Sequence, residues 1–246
     1  MEGQEDPGRE SSLLQIQDEI RLAFGWSLEK DIEVAKWLID EVMRQGYPNW
    51  SFHGFDSNWF DIESELLSRR EGVCIVGAAV EKYEVEKAIE KDCSLIIADG
   101  SAGVFSELDD PIEGWNRTIA IVTDGDGGRG LDEAIDRDVP LIIHAHGDNR
   151  IALESLISKL RDYPISLTHQ TPKEILGMRN PGGFTDGDRA ACIAISMGVE
   201  LSRIDLLGTR SDMIGRYSGV TNPERKLKKL VWMKSILEKL GFVGIR

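Results

Sequence analysis

Apolar positions fall into two textures along the 246 residues. Between Leu13 and Leu67 they recur at helical spacing. Leu13, Leu14, Ile16, Ile20 and Leu22 form one short amphipathic segment. Ile32, Val34, Ala35, Leu38, Ile39 and Val42 predict a helix from about Asp31 to Arg44. Ser27 is its candidate N-cap, although Lys30 stands where a complete capping box puts Glu. Gly46 and Pro48 stop it. Trp26, Trp37, Trp50 and Trp59 fall in the same region, where core packing is the expected role and a stacking surface for a flat ring the other use. Residues 1–12 are polar and expected to be disordered, and no catalytic signal precedes residue 71.

From Gly72 the pattern changes to short apolar runs alternating with helical stretches. Predicted strands are Val73 to Val76, Ser94 to Ala98, Ile119 to Thr123, Leu141 to Ile143, Ile165 to Thr168 and Ile204 to Leu207. Predicted helices between and after them cover Val80 to Lys91, Leu131 to Arg137, Ile151 to Arg161, Ala190 to Met197 and a long basic-faced stretch from Pro223 to Leu240. Such alternation predicts an α/β fold, a mostly parallel open sheet with helices on both faces. Residues 1–70 read as a small N-terminal helical region and residues 71–246 as the α/β catalytic domain.

The polar residues that follow the apolar runs carry the chemistry. Ile119 to Thr123 leads into Asp124-Gly125-Asp126, two carboxylates among glycines that let phosphate approach closely. A lone Asp-Gly-Asp is most simply a turn. Here, however, four apolar runs are followed by such clusters: Asp99-Gly100, Asp124 with Asp126, His146 with Asp148, and Asp186 with Asp188. Strand C-termini of a parallel sheet share one edge, so these groups are expected to converge. Crowded carboxylates call for a cation, and oxygen ligands suit a hard divalent metal. His144, His146 and Asp148 alternate and would share one face of an extended chain, where a histidine is expected as an orienting group and a metal ligand is the other use. His169 and Gln170 follow the next strand as candidate substrate contacts. Arg129, Arg150, Lys173, Arg189 and Arg210 sit just past strand ends, where they could balance phosphate.

Charge and composition remove several classes. A net charge of -14 argues against a nucleic-acid partner. No apolar run approaches the ~20 residues of a membrane span. Cys74, Cys93 and Cys192 form no close pair, which fits a cytoplasmic protein without structural zinc or disulfides. There is no P-loop, no Gly-x-Gly-x-x-Gly fingerprint and no Gly-x-Ser-x-Gly elbow.

Four runs occur in order: Ala98-Asp99-Gly100, Val122 to Gly127, His144-Ala145-His146-Gly147-Asp148-Asn149, and Gly182-Gly183-Phe184-Thr185-Asp186-Gly187-Asp188-Arg189. With Phe24 to Ser27, Gly208 and Ile214 to Ser218, they resemble the archaeal 6-hydroxymethyl-7,8-dihydropterin pyrophosphokinase family, related to the thiamine pyrophosphokinase catalytic domain. The resemblance spans roughly residues 24–240. Two departures stand out: Gly77-Ala78-Ala79-Val80 replaces a Gly-x-Gly-Pro-Ser-like turn, and Gly125 replaces a Leu between the paired aspartates.

The resemblance implies Mg²⁺-dependent transfer of diphosphate from ATP to the alcohol of a reduced pterin, releasing AMP, in folate- or methanopterin-type pterin biosynthesis. On that reading Asp124 and Asp126 hold Mg²⁺, with Asp99, Asp148 or Asp186 completing the site. His146, Asp148 and Asp186 are the catalytic candidates. Asp99, Gly100, Asn149, Thr185, Asp188, Arg189 and Gln170 are the substrate and nucleotide contacts. Small-molecule partners are expected, with the N-terminal helices forming a homodimer surface or a lid. Asp124-x-Asp126 also spells the acidic pair of a sugar-nucleotide glycosyltransferase, and a non-catalytic nucleotide-binding module is the third reading.

Overall fold

The computed structural model describes residues 7–69, 71–219 and 222–246. Three helices come first: α1 (Pro7–Phe24), α2 (Leu28–Arg44) and α3 (Phe52–Ser68). The helical state of Pro7 to Ser12 corrects the expected disorder there; residues 1–6 lie outside the described residues. Ser27 caps α2 by accepting from the Lys30 amide, and Ser51 caps α3 through the Gly54 amide. The α3 helix was not delimited by the sequence pattern.

The α/β alternation then runs as expected: β1 (Val73–Val76), α4 (Lys82–Glu90), β2 (Ser94–Ala98), α5 (Pro111–Asn116) and β3 (Thr118–Thr123). It continues with α6 (Gly128–Ile135), β4 (Leu141–Ala145), α7 (Arg150–Lys159), β5 (Ile165–His169), α8 (Asp186–Ser196), β6 (Ile204–Leu207) and α9 (Pro223–Leu240). Between β2 and α5 a 3₁₀ stretch covers Asp99–Glu107, which periodicity alone missed.

All six strands are parallel, in the order β5-β4-β3-β2-β1-β6. The strand residues are almost uniformly buried, as a sheet covered on both faces requires. Handedness decides which helix lies where. Right-handed crossovers that step from β1 to β5 in one direction put α4, α5, α6 and α7 on one face. The return from β5 to β6 runs the other way, so α8 lies on the opposite face, with α9 beside it. The two buried clusters reflect this. One joins Cys74, Ile97 and Ile143 to Leu131 and Leu153, and the other joins Ile75, Ile96 and Val122 to Ile193 and Ile236.

The N-terminal helices complete the same two layers. Val34, Leu38 and Val42 of α2 enter the first cluster, whereas Ile16 and Ile20 of α1 and Ile62 and Leu66 of α3 enter the second. The tryptophans divide accordingly: Trp50 is buried in the first layer and Trp59 in the second. No described helix is long and apolar enough to cross a membrane.

Candidate active site

Strand order dictates the order of groups along the carboxyl edge. From one end to the other it presents Gln170, His146, Asp124 with Asp126, Asp99 with Gly100, the Gly77 to Ala79 turn, and Gly208 to Arg210; all of them line one cleft. Chain order reverses at β1, which has β2 on one side and β6 on the other, and that switch point is where open sheets leave a ligand crevice. Asp99 turns out of β2 with φ of 47°, a left-handed conformation that costs a non-glycine residue on the order of 1–3 kcal/mol. The 208–217 segment packs hard onto the β1 turn. A Cβ on Gly208 would sit 2.0 Å from the Val80 nitrogen, and one on Gly215 would sit 2.1 Å from Ala78 backbone.

Three carboxylates meet at the centre. Ligand oxygens of Asp99, Asp124 and Asp186 all lie within 4.8 Å of one another. Burial, then the neighbouring Asp186, Asp124 and Asp126, push the Asp99 carboxyl well above its usual range, although Thr123 donates a hydrogen bond to it. Burial and the Asp124 charge raise Asp186 to about 7. Asp126 rises for the same two reasons. Asp124 is the exception. Burial opposes its ionisation, but His146 outweighs it and holds Asp124 at about 2. Its Oδ2 faces His146 Nε2 at 3.2 Å, while its buried Oδ1 has no hydrogen-bond partner. An ionised carboxylate with an orphaned, buried oxygen beside two further carboxylates fits a hard divalent cation.

His146 lies between Asp124 and Asp148, with Nδ1 2.7 Å from Asp148. Burial alone would lower its pKa, but the two carboxylates raise it to about 9. Asp148 is held well below the usual range by His146, despite partial burial, with Arg225 of α9 adding a second contact at 2.6 Å. Asn149 is spent on the turn itself: its Nδ2 donates to the backbone oxygens of Asp124 and His144, and its Oδ1 accepts from the His146 amide. From α9, Lys226 and Lys229 line the same cleft, with the Lys229 ammonium 5.4 Å from the Trp26 ring and 5.5 Å from the Phe184 ring. Trp26 stacks on Phe24 at 4.6 Å between centroids and meets Phe184 at 5.8 Å; Trp26 and Phe184 line the cleft.

A 6-hydroxymethyl-7,8-dihydropterin pyrophosphokinase of Pyrococcus furiosus is 34% identical over 228 residues, covering 88% of this chain and 87% of that protein. The chain belongs to the 6-hydroxymethyl-7,8-dihydropterin pyrophosphokinase family. A Methanocaldococcus jannaschii protein of the same name as the Pyrococcus one is 28% identical over 241 residues (88% of this chain, 89% of that one). A Methanothermobacter thermautotrophicus protein is 33% identical over 152 residues, or 58% and 61% of the two chains. No protein-family model matches the chain. Family membership makes it an enzyme of pyrophosphate transfer, and the glycosyltransferase and binding-module readings lose their ground.

As a pyrophosphokinase-family site, the cleft gathers Asp99, Gly100, Asp124, Asp126, His146, Gln170, Thr185 and Asp186 from the residues singled out in the sequence. Three of the clusters end strands, whereas Asp186 begins α8 after a long loop. Asp188 and Arg189 are fully buried behind the cleft. Asp188 accepts from the Phe184 and Thr185 amides as the partner of the Thr185 cap, and Arg189 donates to the carbonyls of Gly182 and Gly183. Of the five basic residues past strand ends, Arg210 alone lines the cleft, bidentate to Asp212. Sequence reasoning did not place Lys226, Lys229 and Trp26 in the site. The basic face of α9 was the available signal for the lysines.

Proposed function

We propose that the protein transfers diphosphate from ATP to the hydroxymethyl group of 6-hydroxymethyl-7,8-dihydropterin, giving the pterin diphosphate and AMP, with Mg²⁺ as the metal. It would do so in the cytoplasm, in pterin biosynthesis. The observation that carries this reading is the meeting of Asp99, Asp124 and Asp186 in a cleft also lined by Lys226 and Lys229, in a chain of this family. A cation held by these three carboxylates supplies charge neutralisation on the phosphate oxygens.

The chain's own residues account for the rest. The nucleotide takes the β1/β6 end, where the Gly77 to Ala79 turn and Gly208 to Arg210 line the cleft and Lys226 offsets its charge. The pterin takes the β4/β5 end, against Trp26 and Phe184. Its hydroxyl oxygen forms a bond to the β-phosphorus as the bridge to the α-phosphorus breaks, and AMP leaves with the electron pair. The hydroxyl proton passes to Asp126, the cleft carboxylate left outside the triad and one whose proton affinity is raised. His146 keeps its own proton up to about 9 and so serves as a fixed cation that orients Asp124, not as the base.

The test is to incubate protein, ATP, Mg²⁺ and the dihydropterin and to resolve the products. AMP formed in step with pterin diphosphate, and lost on adding EDTA, supports the reading. ADP, or no pterin product, refutes it.

A further inference from the structure

The N-terminal helices, which carry no catalytic signature, contribute a buried charge with no part in the chemistry above. Asp31, in the first turn of α2, is 2% exposed. Its Oδ1 accepts from the Gly147 amide at 2.8 Å, and its Oδ2 accepts from Gln170 Nε2 at 3.0 Å and Arg21 at 3.3 Å. Arg21, itself buried, also donates to the Gln170 carbonyl at 2.7 Å. The approach is close enough that a Cβ on Gly147 would lie 3.0 Å from the Lys30 Cβ. One carboxylate thus ties the His146-Gly147-Asp148 turn to Gln170, across two strand ends.

A carboxylate only accepts, so Gln170 must turn its NH₂ toward Asp31 and its Oε1 away. That oxygen lies 3.4 Å from His144 Nε2. Burial, aided by Arg189, keeps His144 neutral, and its Nδ1 lies 3.2 Å from the Thr168 hydroxyl. The single Thr168 hydroxyl proton is shared between two acceptors at 3.2 Å, His144 Nδ1 and the Ile143 carbonyl, so the contact that orients the Gln170 amide is the one to Asp31. Gln170 retains one N–H and one lone pair for the cleft it lines.

We propose that Asp31 is a positioning residue that sets Gln170 to read the lactam edge, adjacent N–H and C=O, of a planar heterocyclic acceptor at the β4/β5 end of the cleft. The inference rests on the pterin reading above, since a pterin carries such an edge. Removing Asp31 leaves the Gln170 amide free to turn over, so that it meets the lactam donor to donor. A buried polar site mismatched in this way rejects its ligand far more strongly than one that loses an apolar contact.

The test is steady-state kinetics of Asp31→Asn and Gln170→Met beside wild type, varying the dihydropterin and ATP in turn, with thermal melts alongside. Both variants are expected to raise KM for the pterin roughly tenfold or more, with KM for ATP unchanged. Gln170→Met leaves Asp31, Arg21 and Gly147 joined and should fold with a melting temperature only a few degrees below wild type, so it carries the test if Asp31→Asn fails to fold. An unchanged pterin KM in Gln170→Met overturns the inference, as does an equal rise in both KM values. If wild type itself does not use the pterin, the functional reading fails and this inference with it; an active wild type with unaffected variants removes the inference alone.

Discussion

The two oxygens of Asp124 have different surroundings: one faces His146, and the other is buried without a partner. Replacing Asp124 with Asn keeps the shape and removes the charge that would hold a cation. We expect AMP release to fall by on the order of a hundredfold or more, with the far-UV spectrum unchanged; a kcat near wild type would exclude Asp124 from the site. His146 offers a pH prediction. Its folded pKa of about 9 exceeds the 6.5 of a free histidine, so its stabilisation is complete below about 6.5 and disappears as pH rises through 9. The contribution is on the order of 3 kcal/mol. Melting temperature should therefore fall between pH 7 and 10 in wild type, and this slope should flatten in His146→Gln. At this scale the sequence revealed residue types better than residue roles. The paired Asp124 and Asp126 were plain to read, but which carboxylate joins Asp99 depends on where Asp186 returns from a long loop. Asp188 was legible in principle: Thr185-x-x-Asp188 has the spacing of a capping box, with Asp in place of Glu.

At the scale of elements, strands were the most legible. Apolar runs located β1, β2 and β6 to the residue. Strands β1 and β2 are buried at every position, as a doubly covered parallel sheet requires, whereas the edge strand β6 exposes Asp205 and was found from Ile204, Leu206, Leu207 and the Gly208 that ends it. The 3₁₀ stretch after Asp99 was not legible, since it begins from a left-handed aspartate rather than from any hydrophobic period. Nor was the place of α9. Its amphipathic pattern announces a helix, but only its packing beside α8 and α1, after the chain leaves β6, brings Lys226 and Lys229 to the cleft. Desolvation depresses the Lys229 pKa even though Asp148 and Asp124 favour its charged form, so this cation sits in a partly dry wall of the cleft. Lys226→Ala removes a neighbouring charge without disturbing the buried stripe of α9, which runs through Leu230, Met233 and Leu237. We expect KM for ATP to rise roughly tenfold, consistent with loss of one charge-assisted contact, and KM for the pterin to stay as in wild type. Equal effects on both substrates would mean that α9 is merely loosened.

The whole molecule carries a net charge of -14, and four of its carboxylates crowd one cleft. Without a cation, this arrangement is tolerable only when some of them are protonated. Asp186 shows the sign. Its folded pKa of about 7 lies above the ordinary 3.8, so the stability it lends is present below about 4 and is lost as pH rises to 7. Asp99 and Asp126 shift the same way. A divalent cation bound by Asp99, Asp124 and Asp186 reverses this loss, since it binds the folded state alone and needs the ionised carboxylates. At a hundred times its dissociation constant such a ligand adds about 2.7 kcal/mol, which for a chain of this size raises the melting temperature by roughly 5–10 °C. Mg²⁺ should therefore stabilise the protein strongly at pH 8, where His146 still holds its proton, and little at pH 5, where protons occupy the same oxygens. Asp124→Asn should lose most of the pH 8 shift. Differential scanning fluorimetry with and without EDTA checks all of this before any substrate is added. An equal Mg²⁺ effect at both pH values, or one that survives in Asp124→Asn, would place the cation elsewhere on this acidic surface.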